Sequence, residues 1–233
     1  MEKQDLLLLH GALGSKSQFQ NLIPLLETDF EIYTLDFSGH GDMPPQNEFG
    51  IITFANEVLD ELAKWDIDKI NVFGYSMGGY VATYLALNSN RILKGFTLGT
   101  RFLWTPEYAE KETGKLDPDK ILEKVPAYAE ELMMRHKAMD WEILLDKTKQ
   151  MMLDLGRFNL LTIDRIGEIT KEICVGLGEL DNTVSVDETV SVYKAMVNGR
   201  LCILPNTPHP LEKVNPVLLS EAIREHFRNE SLV

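Results

Sequence analysis

The chain has 233 residues, 44% of them hydrophobic and 25% charged, with 36 acidic against 23 basic side chains and a formal net charge of −13. That length and balance suit one folded unit with a single core and an insertion, and exclude a mainly disordered chain. The acidic surplus repels phosphate backbones and anionic membrane surfaces, so neither nucleic acid nor a membrane is an expected partner.

The opening MEKQDLLLLHG carries an apolar run of four residues. This is too short for a signal-peptide core, and no cleavage-type sequence follows it. No stretch reaches the roughly 18 apolar residues of a membrane span. The expected protein is soluble and cytoplasmic; its oligomeric state is not legible.

Leu6 to Leu9 is the first predicted strand, followed by the glycine-punctuated loop HGALGS. A second strand is expected over Ile32 to Leu35. After Thr53, a predicted N-cap, Phe54, Val58, Leu62 and Trp65 recur at helical spacing. Ile70 to Phe73 forms the third expected strand, and a helix carrying Val81, Ala82 and Leu85 on one face follows it. Phe96 to Leu98 is the fourth.

From about 101 to 170 no strand pattern occurs; Trp141, Leu144, Leu145, Thr148, Met152 and Leu155 fall at helical intervals, with Gly156 as the expected stop. Strands resume at Ile173 to Leu177 and Leu201 to Leu204. The helix between them opens on the capping-box pair Ser185 and Glu188, with Gly199 as its expected stop. Asn215 and Pro216 open the last helix. Strand and helix therefore alternate, which predicts an α/β fold with a mostly parallel sheet flanked by helices. Cys174 and Cys202 lie in apolar strand runs, EICVGLG and RLCILPN, and are expected to pack as small hydrophobes without a disulfide or metal role.

Between the third strand and its helix stands FGYSMGG. Gly74, Ser76 and Gly78 match G-x-S-x-G, in which a sharp strand-to-helix turn holds a serine hydroxyl at the strand end. A serine needs a general base, an orienting group for that base, and donors for the developing oxyanion. Of the five histidines, His136 and His226 are expected on solvated helix faces, and His10 and His40 as braces of their HG loops. His209, between Pro208 and Pro210 after the last strand, falls at the carboxyl edge of the sheet with Ser76.

The acid follows the preceding strand in GLGELD: Asp181 is the first choice, with Glu179 and Asp187 as competitors. Asp187 falls at a helix N-terminus, where a carboxylate is favoured by the helix dipole alone. The oxyanion donors are expected from the N–H of Met77 and from the HGALGS loop, with Ala12 first and Leu13 second.

HGALGS at 10 to 15, LDFSGHGDM at 35 to 43, GYSMGG at 74 to 79, GELDNTVS at 178 to 185 and NTPHPLE at 206 to 212 stand after successive strands. In these motifs, and in the order Ser76, Asp181, His209, the chain resembles an α/β-hydrolase. Two departures stand out. The antiparallel strands that often precede the first parallel strand in this family are not seen, and GTRF after the fourth strand has no carboxylate for the alternative acid position.

The resemblance implies a catalytic core over 1–100 and 171–233, with a helical cap insertion over 101–170. It implies acyl transfer from a small-molecule substrate to water with no metal or organic cofactor. The expected activity is hydrolysis of a small to medium carboxylic ester or thioester. The alternatives are a carbon–carbon bond hydrolase or lyase on the same triad, and, from another class, a ligand-binding receptor or scaffold with a silent triad. Relatives that cleave halides or epoxides usually carry aspartate where this chain has Ser76. Leu13, Arg101, Phe102, Trp104, Met133 and Met152 are the expected substrate contacts, because Met133, Met134, Met139, Met151 and Met152 fall in the insertion and flexible thioethers suit an adaptable apolar pocket.

Overall fold

A computed structural model describes residues 3–228. In chain order its elements are β1 Gln4–Leu9, α1 Ile23–Leu26, β2 Phe30–Thr34, α2 Ile51–Lys64, β3 Ile70–Tyr75, α3 Met77–Asn88 and β4 Ile92–Leu98. The helical insertion follows, with α4 Pro106–Thr113, α5 Pro118–Lys124, α6 Pro126–Arg135, α7 Trp141–Arg157 and α8 Ile163–Gly167. The chain then returns through β5 Glu172–Gly178, α9 Val186–Ala195, β6 Gly199–Leu204 and α10 Pro216–Phe227.

The six strands form one sheet in the order β2-β1-β3-β4-β5-β6, and every neighbouring pair is parallel. Parallel strands covered on both faces read as unbroken apolar runs, which explains Leu6 to Leu9. Leu7 and Leu9 join Val72 and Val175 in the core under α2, α3 and α9. Leu6 and Leu8 point the other way, joining Phe73, Phe96 and the α10 residues Leu219 and Ile223. β1 lies between β2 and β3, so chain direction across the sheet reverses there, and a crevice opens at the carboxyl ends of β1 and β3.

The insertion has its own apolar cluster of Ile121, Ala129, Leu132, Trp141, Leu144 and Leu145, and Leu13 from the loop after β1 inserts into it. Core and insertion thus share side chains at the sheet's carboxyl edge. Among the described residues no helix is long and apolar enough to cross a membrane.

Several expectations are corrected. α2 begins at Ile51 with Gly50 as N-cap, so Thr53 lies inside the first turn. α7 continues through Gly156 to Arg157; there glycine serves packing, since a Cβ on it would lie 2.6 Å from that of Ala109. α9 stops at Ala195, and Gly199 opens β6. β6 is an edge strand with Leu201 and Ile203 about 40% exposed, so only Cys174 of the two cysteines is fully buried. His136 and His226 are buried, not solvated. His136 closes a contact between the insertion and the core, and His226 packs edge-on to Phe96 beneath the sheet.

Candidate active site

β3 ends at Tyr75 and α3 starts at Met77, leaving Ser76 alone to turn the chain, with φ 50° and ψ −114°. A serine at positive φ is strained. It is held there because Ser76 N donates to Leu98 O at 2.9 Å, while Ser76 O accepts from Gly79 N at 3.0 Å and from Thr100 Oγ1 at 3.0 Å. The flanking glycines are sterically required. A Cβ on Gly74 would lie 2.5 Å from the Gly78 carbonyl oxygen, and one on Gly78 would lie 2.2 Å from that of Leu9.

His209, on the loop after β6, has its Nδ1 2.7 Å from Asp181 Oδ2, on the loop after β5. A carboxylate only accepts, so Nδ1 is the donor in this bond, and in the neutral ring that tautomer leaves Nε2 as the acceptor. The other oxygen, Asp181 Oδ1, accepts from Thr183 N at 2.8 Å and Val184 N at 2.9 Å. Burial pushes the Asp181 pKa up, but the His209 hydrogen bond and charge and these two N–H groups outweigh it, so it lies below its ordinary value. The Asp181 side chain is 1% exposed and that of His209 15%.

Two further residues fix the imidazole. Tyr75 donates its hydroxyl to the His209 carbonyl at 2.9 Å. Gly99, at φ 62°, passes so close that a Cβ there would meet Asp181 Oδ2 at 3.1 Å and His209 Nδ1 at 3.2 Å. The two competitors for the acid position are engaged elsewhere. Glu179 accepts from Asn206 N at 2.9 Å, and Asp187 sits in the first turn of α9.

Ala12 and Met77 stand with Ser76 around a cavity of about 40 Å³, whose other walls are Ile51, Tyr80, Arg101, Trp104, Met151, Met152 and Leu155. The leading N–H groups of α3, Met77 among them, have no intrahelical carbonyl to meet. Of the expected substrate contacts, Arg101, Trp104 and Met152 border the cavity, whereas Leu13, Phe102 and Met133 do not. Phe102 is fully buried and stacked on Tyr80, Leu13 is committed to the insertion's core, and Met133 is half-exposed.

Arg101 faces neither solvent nor open cavity with a free charge. Its Nη1 pairs with Glu188 Oε2 at 3.0 Å, and Nη2 donates to the Thr183 carbonyl. Glu188 Oε1 also accepts from Phe102 N at 2.8 Å and Leu103 N at 3.0 Å. The expected capping box is half formed, with Ser185 Oγ accepting from Glu188 N at 3.1 Å while the carboxylate serves this other task.

The loop after β1 is clasped by the insertion. The Leu13 carbonyl, at φ 58°, accepts from Arg135 Nη1 and His136 Nε2, each at 2.9 Å. His136 Nδ1 in turn accepts from Gly41 N at 3.0 Å, and burial pushes its pKa down to about 4. His10 braces the same edge, with Nε2 accepting from Phe37 N at 3.1 Å and Nδ1 donating to the Gly11 carbonyl at 2.8 Å. Sequence reasoning gave no role at the site to Tyr75, Gly99, Glu188 or the wall residues Ile51, Tyr80 and Leu155. Of these, Tyr75 alone had a local signal, its place beside the serine in GYSMG. Among the described residues, no group of three or more His, Cys, Asp or Glu side chains is arranged to hold a metal ion.

A family model described as alpha/beta hydrolase fold matches residues 6–137, more than half of the chain. The human serine hydrolase-like protein is 37% identical over 78 residues, covering 32% of this chain and 38% of that protein. The pimeloyl-[acyl-carrier protein] methyl ester esterase of Neisseria meningitidis is 33% identical over 79 residues, covering 34% of this chain and 29% of that one. These matches span well under half of either relative. Among solved structures, the enol-lactonase from Burkholderia xenovorans superposes with a TM-score of 0.79 at 16% identity, over 98% of this chain and 93% of that one.

Proposed function

The chain belongs to the alpha/beta hydrolase fold family, and on that premise we propose that it is a serine hydrolase cleaving a carboxylic ester or thioester through an acyl-enzyme. The observation that carries this reading is the 2.7 Å contact from His209 Nδ1 to a buried Asp181, on loops at the sheet edge where Ser76 is held at positive φ. That contact leaves His209 Nε2 free to act as base.

In the reaction, Ser76 Oγ attacks the substrate carbonyl carbon as His209 Nε2 takes the hydroxyl proton. Asp181 keeps the imidazole in the correct tautomer and stabilises its charged form. The N–H groups of Met77 and Ala12 receive the oxyanion, and the dipole of α3 favours negative charge at that point. Collapse of the tetrahedral intermediate breaks the bond from carbon to the leaving oxygen or sulfur, which takes the proton from His209. Water, deprotonated by His209, then attacks the acyl-enzyme and releases the acid and Ser76. Two similar proteins are described as an esterase and an enol-lactonase, and both names denote ester chemistry.

Residues 101–170 act as a cap over Ser76, and residues 1–100 and 171–233 as the catalytic core. Arg101, Trp104 and Met152 meet the substrate from the cap side. The test is hydrolysis of p-nitrophenyl acetate by purified wild type and Ser76→Ala. The substitution lowers kcat by roughly 10⁴ to 10⁶ if Ser76 is the nucleophile. A folded variant that keeps a tenth of the wild-type rate contradicts the assignment.

A further inference from the structure

The cavity at Ser76, about 40 Å³, is small. It is less than a tenth of the volume of the groove beside it, so an extended chain bound at Ser76 needs further room. Three of the cavity's walls have open space on their far side. Ile51, Met151 and Leu155 also line a surface groove of about 470 Å³, completed by Phe49, Ile52, Phe158 and Leu160. The three shared side chains are 3%, 6% and 5% exposed, so they form a thin septum between the two spaces. Beyond it, Ile52 is 50% and Phe158 78% exposed, an apolar surface that costs free energy unless something covers it.

We propose that this groove receives the tail of an uncharged medium-chain acyl group, threaded from Ser76 through the septum by rotation of Met151. This rests on the reading of Ser76 as nucleophile and specifies its substrate. The acyl assignment follows from the side on which the cavity lies. His209 must protonate the leaving group, and His209 does not border the cavity; the group that enters it is therefore the part that stays on Ser76. The septum can part because one of its members is methionine, unbranched and with several rotatable bonds, which repacks at low cost. An uncharged tail suits the groove because its lining is mostly apolar and its own ionisable side chains are the carboxylates Glu48 and Asp154, the latter already paired with Arg157. A terminal carboxylate on the chain finds no cationic side chain in that lining, whereas an alkyl chain meets Phe49, Ile52, Phe158 and Leu160.

The experiment measures kcat/KM for p-nitrophenyl acetate, hexanoate, octanoate and decanoate in wild type, Ile52→Glu, Phe158→Glu and a control, Val197→Glu, whose exposed side chain lies on neither cavity. Each methylene that reaches the groove raises kcat/KM about fourfold. The octanoate-to-acetate ratio is expected to fall at least tenfold in both groove variants and to stay unchanged in the control. The same ratio is read independently from inactivation rates with octyl and methyl p-nitrophenyl phosphonates, which require no turnover. Ratios equal to wild type in both groove variants, with activity still lost in Ser76→Ala, overturn the groove and leave the hydrolase reading standing. Activity or inactivation that persists in Ser76→Ala removes both.

Discussion

The Arg101 and Glu188 pair is the most demanding test of how the insertion is joined to the core. Both side chains are nearly inaccessible, at 7% and 6% exposure, and their ion pair links the segment leaving β4 to α9. Removing one member of such a pair leaves the other charge buried, which costs about 3–5 kcal/mol, a large part of the 5–15 kcal/mol that holds a typical domain together. Glu188→Gln keeps an oxygen to accept from Phe102 N and Leu103 N but leaves the guanidinium uncompensated, so about 3 kcal/mol is expected. Arg101→Met leaves a carboxylate that still accepts two N–H groups and frees the Thr183 carbonyl, for a similar cost. The double variant buries no charge at all, and its loss should fall short of the sum by about 2 kcal/mol or more. Urea unfolding of the four proteins at pH 7, compared by midpoint and slope, measures this coupling directly. Effects that add to within about 0.5 kcal/mol would refute the idea that the two charges compensate each other in a dry site. Arg101→Met should also lower kcat, because Thr183, whose carbonyl Arg101 holds, donates its N–H to Asp181.

Acid should unfold this protein early. Burial pushes His10, His136 and His226 down to about 4, and His40 well below its ordinary value. The unfolded chain therefore binds more protons between about pH 6.5 and 4, and stability falls as pH falls through that window, by about 3 kcal/mol for each histidine brought from 6.5 to 4. Urea midpoints measured from pH 7.5 to 4.5 should drop steeply below 6.5, and a flat profile contradicts the buried neutral state. Asp181→Asn should cut kcat by orders of magnitude because the neutral amide permits the wrong imidazole tautomer, whereas Glu179→Gln should leave kcat within a few-fold. Equal losses in the two variants would move the acid role away from Asp181. Gly78→Ala should yield little folded protein, because its Cβ would press on the Leu9 carbonyl, an immovable backbone atom. A soluble variant with wild-type Tm would show that the elbow relaxes.

Local rules made the strands, and the sheet edge that gathers the candidate site, legible. The LLLL run announces a strand buried on both faces, and G-x-S-x-G announces a turn whose steric demand is met by glycine. Loops after successive parallel strands must gather at one edge, so the sequence already places Ser76, the 178–181 loop and His209 together. Long-range partners were not legible in that way. Nothing near Glu188 in the sequence signals that its carboxylate reaches Arg101, Phe102 and Leu103 on the far side of the insertion. His136, the C-cap of α6, stands between Arg135 and Lys137, and only the closing of the insertion onto Leu13 and Gly41 buries it. Phe102 has the composition of a pocket residue and the position of a core one, because Tyr80 offers it a ring face. Helix ends shifted for a related reason: Gly156 and Gly199 were expected as helix stops, and tertiary packing uses them for close contact and for the start of a strand.

The central claim, that Ser76 forms a covalent intermediate activated by His209 and Asp181, is tested most directly by trapping that intermediate. Wild-type protein and His209→Ala are each treated with a p-nitrophenyl alkylphosphonate, digested, and mapped by mass spectrometry. The account predicts stoichiometric modification of wild type at Ser76, in the peptide containing FGYSMGG, and modification of His209→Ala slower by orders of magnitude. Modification at another residue, or equal rates in the two proteins, would contradict it.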